Sequence, residues 1–293
     1  MNTPGNKFRD AISDNKPLMV VGAINAYCAK MAENAGHKAL YLSGAGVANA
    51  SFGLPDLAIT TLNDVAEDSR RITQATNLPL LIDIDTGFGG AFSISRTIKE
   101  MIAADVAAVH IEDQVTQKRC GHRPNKSLVD KIEMTDRIKA AVDARTDDSF
   151  FIMARTDSYA SEGIQGAIDR CNEYISAGAD GLFLEAVSSL EDYKQLKDSL
   201  QVPLLANITE FGKTPLFSAQ ELASVGVDIM LFPLSAFRAM NKAAESVYID
   251  IAENGSQVNS VEKMQTRDEL YEYLNYHSFE QKLDELFKRK ENK

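Results

Sequence analysis

Eight short apolar segments recur between residues 17 and 233, and a longer stretch with helical periodicity follows most of them. Each segment is rich in branched residues and almost continuously hydrophobic, which is typical of strands buried on both faces of a parallel sheet. The segments are 17–24, 39–43, 78–85, 106–113, 150–156, 181–186, 202–208 and 227–233. This alternation predicts an α/β chain built from eight βα units.

Eight such units within about 230 residues predict a (β/α)8 TIM barrel. An open, doubly wound sheet is the alternative, but the glycines of SGAGVANASFG lack the GxGxxG spacing of a dinucleotide site. Residues from about 235 to 293 read as a helical extension of the same domain, with helical segments at 235–255 and 266–290. The last helix packs either on its own barrel or on a neighbouring subunit.

The overall charge of the chain limits its partners. A net charge of -11 and a pI near 4.9 argue against nucleic acid, which requires a basic face. No apolar run is long enough to span a membrane, and the N-terminus lacks the pattern of a secretory signal. The three cysteines, Cys28, Cys120 and Cys171, are scattered, which is typical of reduced thiols in the cytoplasm. We therefore expect a cytoplasmic protein that acts on a small molecule.

Polar residues gather at the carboxyl ends of the predicted strands. They are Ser43, Asp83, Asp85, Glu112, Asp113, Arg155, Glu185 and Asn207. In a barrel these ends meet at one rim, where active sites form. Any one of these residues could cap a helix or form a structural ion pair. Together they predict a site, because burying so many charges without a ligand is costly.

Asp83 and Asp85 are the first candidate metal ligands. Two carboxylates two residues apart on a strand point the same way, and Glu112 is expected nearby. Oxygen ligands of this kind suit Mg2+, and Mn2+ could substitute. The alternative is that Asp85 only caps the turn into TGFGG.

The segment from about 114 to 130 has no strand or helix pattern and contains KRCGHR at 118–123. An unstructured loop of this length in a compact barrel is typical of a lid over a site. Basic neighbours favour the thiolate form of Cys120, which suits proton transfer or nucleophilic attack. The alternative is a solvated basic loop with an incidental thiol.

Five motifs together resemble the isocitrate lyase/phosphoenolpyruvate mutase superfamily. They are DIDTGFGG at 83–90, HIEDQ at 110–114, KRCGHRPNK at 118–126, ARTD at 154–157 and NITEFGKTPLF at 207–217. The RPNK stretch and the short chain resemble the methylisocitrate lyase branch, since isocitrate lyases carry large insertions. The similarity extends over nearly the whole chain.

This resemblance implies a barrel whose last helix is exchanged between paired subunits of a homotetramer. It implies Mg-dependent retro-aldol cleavage of (2S,3R)-2-methylisocitrate to pyruvate and succinate, in propionate breakdown by the methylcitrate cycle. Asp83 and Asp85 are then expected to bind Mg2+, while Asp56 and Glu112 hold its waters. The expected substrate-binding residues are Ser43, Gly44, Ala45, Cys120, Gly121, Arg155, Glu185, Asn207, Ile208, Thr209, Arg238 and Arg267.

The resemblance also implies the catalytic roles. Cys120 is expected to protonate the succinate carbanion, with Lys118, His122 and Arg123 tuning its thiol. Tyr41 is a candidate base for the C2 hydroxyl, or simply a core aromatic. The family often has glycine at the position of Ala45, and we expect the extra methyl to be tolerated.

Selectivity for the methyl group is expected to come from apolar residues near the rim, with Phe183 and Leu231 as candidates. Isocitrate cleavage, oxaloacetate decarboxylation and phosphonopyruvate chemistry are the alternatives within the superfamily. The KRCGH cysteine argues against the last two. A non-catalytic barrel is the alternative from another class.

Overall fold

The computed structural model of the chain describes residues 2–119, 121 and 126–288. Eight parallel strands pair in sequence order and close into a barrel, because the last strand pairs with the first. The TIM-barrel prediction is therefore confirmed. The strands are β1 (Leu18–Gly22), β2 (Ala39–Leu42), β3 (Leu80–Asp83), β4 (Ala108–Glu112), β5 (Phe151–Thr156), β6 (Gly181–Leu184), β7 (Leu204–Asn207) and β8 (Ile229–Phe232).

Helices precede, connect and follow the strands. They are α1 (Pro4–Asp14), α2 (Ala26–Asn34), α3 (Gly44–Gly46), α4 (Leu62–Thr73), α5 (Ala91–Ala103), α6 (Lys131–Asp143), α7 (Tyr159–Ser176), α8 (Leu190–Ser199), α9 (Ala219–Ser224), α10 (Ser235–Asn254), α11 (Arg267–Leu274) and α12 (Tyr276–Phe287). A π-helical segment, Val47–Ser51, follows α3, and a 3-10 helix, Val258–Lys263, precedes α11. None of the described helices is both long and apolar enough to cross a membrane.

Side chains along each strand alternate between two hydrophobic clusters. In β2, Leu40 and Leu42 belong to the large cluster that includes residues of the surrounding helices, whereas Tyr41 belongs to a smaller one. The smaller cluster fills the barrel interior and includes Phe183 and Leu231. This two-residue period explains the continuous hydrophobicity of the strands, since both faces are buried.

Helix α1 closes the amino-terminal end of the barrel. Thr3 caps it through a side-chain bond from the Asn6 N–H, and Phe8 and Ile12 pack into the interior cluster. The Phe8 and Phe151 rings meet edge to face with centroids 5.4 Å apart. Because this end is plugged, the interior is approached from the carboxyl ends of the strands.

Strand β3 is shorter than predicted. It ends at Asp83, and Asp85 lies in a turn with φ of 49°, in the left-handed region that aspartate tolerates better than most residues. The Asp85 N–H donates to Asp83 Oδ1 at 3.0 Å. The prediction that both carboxylates project from one strand is therefore wrong. A turn brings them together instead.

The chain divides into two compact units, residues 1–237 and 238–293. The second unit holds most of α10, the 3-10 helix, α11 and α12. The single helix predicted over 266–290 is wrong, because Asn275 adopts φ of 53° and separates α11 from α12. Asparagine is one of the few residues that enters this left-handed region readily, and it ends α11 there. The single-domain assignment stays a prediction.

Candidate active site

Strand register brings the predicted rim residues side by side. Asp83 on β3 pairs with His110 on β4, and Glu112 pairs with Arg155 on β5. All four side chains are almost fully buried, together with those of Ser43, Asp85, Lys118, Glu185, Asn207 and Thr209. The carboxyl rim therefore holds a buried polar cluster above an apolar barrel interior.

Arg155 is the centre of one half of the cluster. Its guanidinium lies 3.3 Å from Glu112, 3.0 Å from Asp157 and 3.0 Å from Glu185. Its Cζ also lies 4.9 Å from the centroid of the Phe183 ring. Burial would lower the pKa of Arg155, but the three carboxylates outweigh it and raise the pKa well above its usual value. The arginine is therefore a fixed positive charge.

Lys118 is the cation of the other half. Its Nζ lies 2.5 Å from Asp85 Oδ1 and 2.9 Å from Asp56 Oδ1, and its side chain is 4% exposed. Burial opposes its charge, but the surrounding carboxylates raise its pKa well above the usual value. The structure thus brings Lys118 to the predicted metal carboxylates. Its predicted effect on Cys120 stays a prediction, since Cys120 lies outside the described residues.

The Asp83 and Asp85 carboxylates approach the backbone at Gly44. The Gly44 N–H, predicted to hold a substrate carboxylate, donates to Asp83 Oδ2 at 3.3 Å. A Cβ at Gly44 would lie 3.1 Å from an oxygen of each aspartate. Glycine is therefore the residue that leaves room for this approach.

The two aspartates differ in their affinity for protons. Burial raises the pKa of Asp83, but nearby His110, Lys118 and Arg155 outweigh it and lower the pKa to about 2. Burial, reinforced by repulsion from Asp83, raises the pKa of Asp85 to about 7. Asp83 is therefore ionised at neutral pH, while Asp85 exchanges its proton near pH 7 even with Lys118 beside it.

The cluster carries more negative than positive charge. Its six described carboxylates are those of Asp56, Asp83, Asp85, Glu112, Asp157 and Glu185, and its three described cations are Lys118, Lys126 and Arg155. Six minus three leaves an excess of three negative charges when all are ionised. Neither Glu112 oxygen has a hydrogen-bond partner among the described residues, and burial raises the pKa of Glu112 well above its usual value.

The excess of carboxylates over cations, and the Glu112 oxygens that accept no hydrogen bond, fit a bound divalent cation. The ammonium of Lys118 acts as a stand-in cation for Asp56 and Asp85. Within the described ranges, however, no three His, Cys, Asp or Glu side chains are already arranged as a metal site. The carboxylate oxygens of the cluster therefore suit a cation in charge and chemistry. Those of Asp56 and Asp85, however, are already bonded to Lys118.

Tyr41 lies in the barrel interior, below the carboxylates. Its hydroxyl is 2.9 Å from His110 Nε2, and His110 Nδ1 is 3.7 Å from Asp83 Oδ1. Burial lowers the pKa of His110 to about 4, so the imidazole is neutral at pH 7. Burial also raises the pKa of Tyr41 well above its usual value. Sequence reasoning missed His110, which joins the core to the rim.

Strand β7 contributes Asn207, whose Nδ2 donates to Glu185 at 3.3 Å. The next residue, Ile208, packs in the outer hydrophobic cluster, and its N–H donates to the Leu231 carbonyl. Because side chains alternate along a strand, that of Ile208 faces away from the interior. Its contact with the substrate stays a prediction. Thr209 is buried beside it.

The predicted lid loop is anchored at its base. Gln114 forms an isolated bridge with Leu128, and its side chain bonds both the N–H and the carbonyl of Arg119. Gly121 lies deeper, since a Cβ there would fall 2.3 Å from the Arg155 guanidinium and 2.4 Å from Glu185. The backbone at Gly121 therefore touches the polar cluster. His122 and Arg123, like Cys120, lie outside the described residues.

Lys126 and Asp157 are site residues that sequence reasoning missed. Lys126 Nζ lies 2.5 Å from Asp157 Oδ1 and 2.6 Å from the Gly121 carbonyl. Both occur in quoted motifs, RPNK and ARTD, but nothing in their spacing shows that they meet. The remaining predicted residues, Arg238 and Arg267, lie in the second unit, in α10 and at the start of α11. Their substrate contacts stay predictions.

Comparison with known proteins identifies the family. The sequence profile described as phosphoenolpyruvate phosphomutase matches residues 8–252. A 2-methylisocitrate lyase of Vibrio cholerae is 60% identical, over 97% of this chain and 94% of its own. One from Escherichia coli is 56% identical, over 100% of this chain and 99% of its own. The chain belongs to the phosphoenolpyruvate phosphomutase family. It is a carbon–carbon lyase, as the superfamily resemblance predicted.

Solved structures of this family have the same fold. A 2,3-dimethylmalate lyase is 34% identical with a TM-score of 0.89, covering 98% of this chain and 96% of its own. A phosphonopyruvate hydrolase in complex with oxalate and Mg2+ is 26% identical with a TM-score of 0.85, covering 98% and 100%. That hydrolase, which shares the fold of this chain, therefore binds Mg2+.

Proposed function

We propose that the chain cleaves 2-methylisocitrate by a retro-aldol reaction to pyruvate and succinate. The observation that carries this proposal is the identity of 56% and 60%, over nearly full length, to two 2-methylisocitrate lyases. The proposal includes the (2S,3R) isomer and a place in propionate breakdown through the methylcitrate cycle, in the cytoplasm. The buried polar cluster at the rim supports a small, highly charged substrate.

Charge balance limits how a tricarboxylate can bind. The described cluster already has an excess of three negative charges when its six carboxylates and three cations are ionised. A substrate with three more carboxylates needs added positive charge. A divalent cation and the predicted ligands Arg238 and Arg267 would supply it. We therefore propose that metal and substrate bind as a linked pair.

Asp83 and Asp85 are proposed to hold Mg2+, or Mn2+ in its place, with Asp56 and Glu112 holding its waters. The close ammonium of Lys118 supports this assignment, because Asp56 and Asp85 already form ion pairs with one cationic side chain. When bound, the metal supplies Lewis-acid stabilisation of the substrate hydroxyl and its neighbouring carboxylate. A bound metal would compete with Lys118 for these carboxylates. The Lys118 ammonium would then be released from them and could face the substrate.

The protein side chains bind and orient the substrate. Arg155, held by three carboxylates, is proposed to bind one substrate carboxylate with a fixed guanidinium. Backbone groups of Ser43, Gly44 and Ala45 are proposed to hold another. The remaining contacts are proposed for Gly121, Glu185, Asn207, Thr209, Arg238 and Arg267. Glu185 and Asn207 already bond to each other, which presets their positions.

Proton transfers complete the proposed reaction. Cys120 is proposed to protonate the carbon of the leaving succinate, assisted by Lys118 and His122, on the basis of the KRCGH motif. Tyr41 is the candidate for the hydroxyl proton; because burial raises the pKa of its phenol, Tyr41 would pass its own proton to His110 Nε2, 2.9 Å away, as it takes the proton of the substrate. Phe183 and Leu231 stay candidates for methyl selectivity, although both are buried below the rim.

The decisive experiment is a coupled assay of pyruvate release from 2-methylisocitrate, isocitrate and oxaloacetate. We expect 2-methylisocitrate to have the highest kcat/KM. The margin over isocitrate is expected to be about 10–200-fold, since one methyl contributes about 1–3 kcal/mol. A clear preference for isocitrate or oxaloacetate would overturn the substrate assignment.

A Cys120→Ser variant tests the proton donor separately. Turnover should nearly vanish while substrate affinity stays within about an order of magnitude, because the thiol is proposed to act only after the carbon–carbon bond breaks. Cys171 provides the control, since it is a buried core thiol. Near-normal turnover by Cys120→Ser would remove the proposed role.

We also propose a homotetramer in which C-terminal helices are exchanged between paired subunits. In the first unit, an apolar cavity of about 500 Å³ lies outside β1 and β8 and is lined by Met19, Val21, Met31 and Phe232, among others. In the second unit, α12 exposes an apolar stripe of Phe279, Leu283, Leu286 and Phe287. Their helical spacing supports docking of the stripe on a second copy.

Light scattering of wild type and a Leu283→Lys variant tests this assembly. We expect the wild type to be tetrameric and the variant to dissociate, since a charge in the stripe opposes burial. Lys282→Glu, on a different face of α12, is the matched control and should keep the wild-type mass. A monomeric wild type would contradict the proposal.

A further inference from the structure

The ammonium of Lys126 links the lid loop to the barrel. Its Nζ lies 2.6 Å from the Gly121 carbonyl and 2.5 Å from Asp157 Oδ1. The Lys126 side chain is 7% exposed and that of Asp157 is 0% exposed. A buried, charge-assisted pair of bonds of this kind is stronger than a surface ion pair. The loop is therefore fastened at this point.

Gly121 is the part of the loop that reaches the polar cluster. A Cβ at this residue would overlap both the Arg155 guanidinium and the Glu185 carboxylate, at 2.3 and 2.4 Å. The backbone at Gly121 thus fills the space directly beside two proposed substrate-binding residues. A displacement of about 1 Å here would change the shape of the site enough to affect the rate.

Asp157, which accepts the Lys126 bond, is itself held in place by hydrogen bonds. Its N–H donates to Asp113 Oδ1 at 3.0 Å, and Asp113 also accepts bonds from Thr156 and Tyr174. The Asp157 carboxylate accepts from Arg155 through both Nε and Nη2. One carboxylate therefore positions the loop through Lys126 and the substrate-binding guanidinium through Arg155.

We propose that Lys126 is a positioning residue that holds Gly121 against Arg155 and keeps the loop in its catalytic place. It acts through the Gly121 carbonyl and Asp157 and does not touch the substrate. Without its ammonium, the carbonyl loses its donor and Asp157 loses one of two cations.

Lys126→Met, Lys126→Arg and a matched control, Lys197→Met, test the role. Lys197 makes the same pair of bonds elsewhere, to Asp228 Oδ2 at 2.6 Å and to the Val202 carbonyl at 3.0 Å. This kinetic arm rests on the proposed function, because it uses 2-methylisocitrate. We expect Lys126→Met to lower kcat about 10–100-fold with a smaller change in KM, and Lys126→Arg to recover most of it.

Lys197→Met should lose stability while its kcat stays near that of wild type. Circular dichroism and a melting curve establish that each variant folds. An unchanged kcat in folded Lys126→Met would overturn the inference. An equal fall of kcat in Lys197→Met would also overturn it, as would a kcat that does not recover in Lys126→Arg.

Hydrogen exchange without substrate provides a readout independent of the reaction. Peptides covering 114–130 should exchange faster in Lys126→Met than in wild type or Lys197→Met, because the loop loses its fastening. Equal exchange in all three proteins would overturn the inference even if the enzyme is active. If wild type fails to cleave 2-methylisocitrate but exchange responds as expected, the proposed function fails and the anchoring role stands.

Discussion

The two ends of the barrel differ in how their carboxylates are bonded. At the amino-terminal end, Asp180 accepts from Arg9 at 2.9 Å, from Arg145 at 2.8 Å and from the Ile152 N–H at 3.0 Å. At the carboxyl rim, neither oxygen of buried Glu112 has a hydrogen-bond partner among the described residues. The Asp180 carboxylate is therefore fully hydrogen-bonded by protein donors, whereas the Glu112 carboxylate is not.

This difference separates structure from function. A carboxylate with several hydrogen-bond donors stabilises the fold, whereas a buried one without a hydrogen bond destabilises it. At the rim Asp83, Asp85 and Glu112 are all buried, and six described carboxylates face three described cations. The rim is therefore built to be completed by a ligand, and substitutions at the two ends should have opposite consequences.

Metal removal should have the largest effect, and only the rim should respond to it. Treatment with EDTA is expected to lower turnover at least about 1,000-fold, because the Lewis acid contributes several kcal/mol to the transition state. Added Mg2+ should restore wild type but not Asp85→Asn. Pyruvate release measures the turnover. Full activity in EDTA would contradict the metal assignment.

A matched pair of arginines gives the next contrast. Arg155→Met at the rim is expected to lower kcat/KM about 100–1,000-fold, because a fixed guanidinium for a substrate carboxylate is lost. Arg145→Met at the other end removes a bond to Asp180 and should lower the free energy of unfolding by about 2 kcal/mol with kcat/KM unchanged. For each variant, steady-state kinetics give kcat/KM and urea unfolding gives the free energy of unfolding. Equal losses of kcat/KM in the two variants would contradict the contrast.

Two carboxylate-to-amide substitutions should change stability in opposite directions. In the metal-free protein at pH 7, Glu112→Gln should raise the free energy of unfolding by about 1–2 kcal/mol, because burial raises the pKa of Glu112 and a neutral amide avoids that cost, which outweighs the lost contact with Arg155. Asp180→Asn should lower it by about 2–4 kcal/mol, because two arginines lose their partner. Urea unfolding in EDTA measures the free energy of unfolding of both variants. A change in the same direction in both variants would contradict the prediction.

Ala45→Gly should have the smallest effect. Ala45 is half-buried in the short helix α3, just after β2, and its methyl is the only group removed. We expect kcat/KM to stay within about threefold of wild type and stability to fall by at most about 1 kcal/mol. A large gain in kcat/KM would show instead that the Ala45 methyl displaces a substrate carboxylate.

Local patterns in the sequence were enough to predict the barrel. All eight strands fall within the predicted segments, because a strand buried on both faces is recognisable from its own hydrophobicity. The closed order of the strands then places their carboxyl ends at one rim, so the gathering of Asp83, Glu112, Arg155 and Glu185 also followed from sequence. KRCGH and its companion motifs predicted the superfamily, which the relatives confirm.

Tertiary structure alone decided how these groups pair. Lys118 lies against Asp56 and Asp85, and Lys126 joins Gly121 to Asp157, because folding brings loop residues onto strand ends distant in sequence. A left-handed turn, not strand alternation, places Asp85 beside Asp83. Sequence determined which charges reach the rim, since burial patterns are local. Their partners depend on distances between separate elements, which no local pattern encodes.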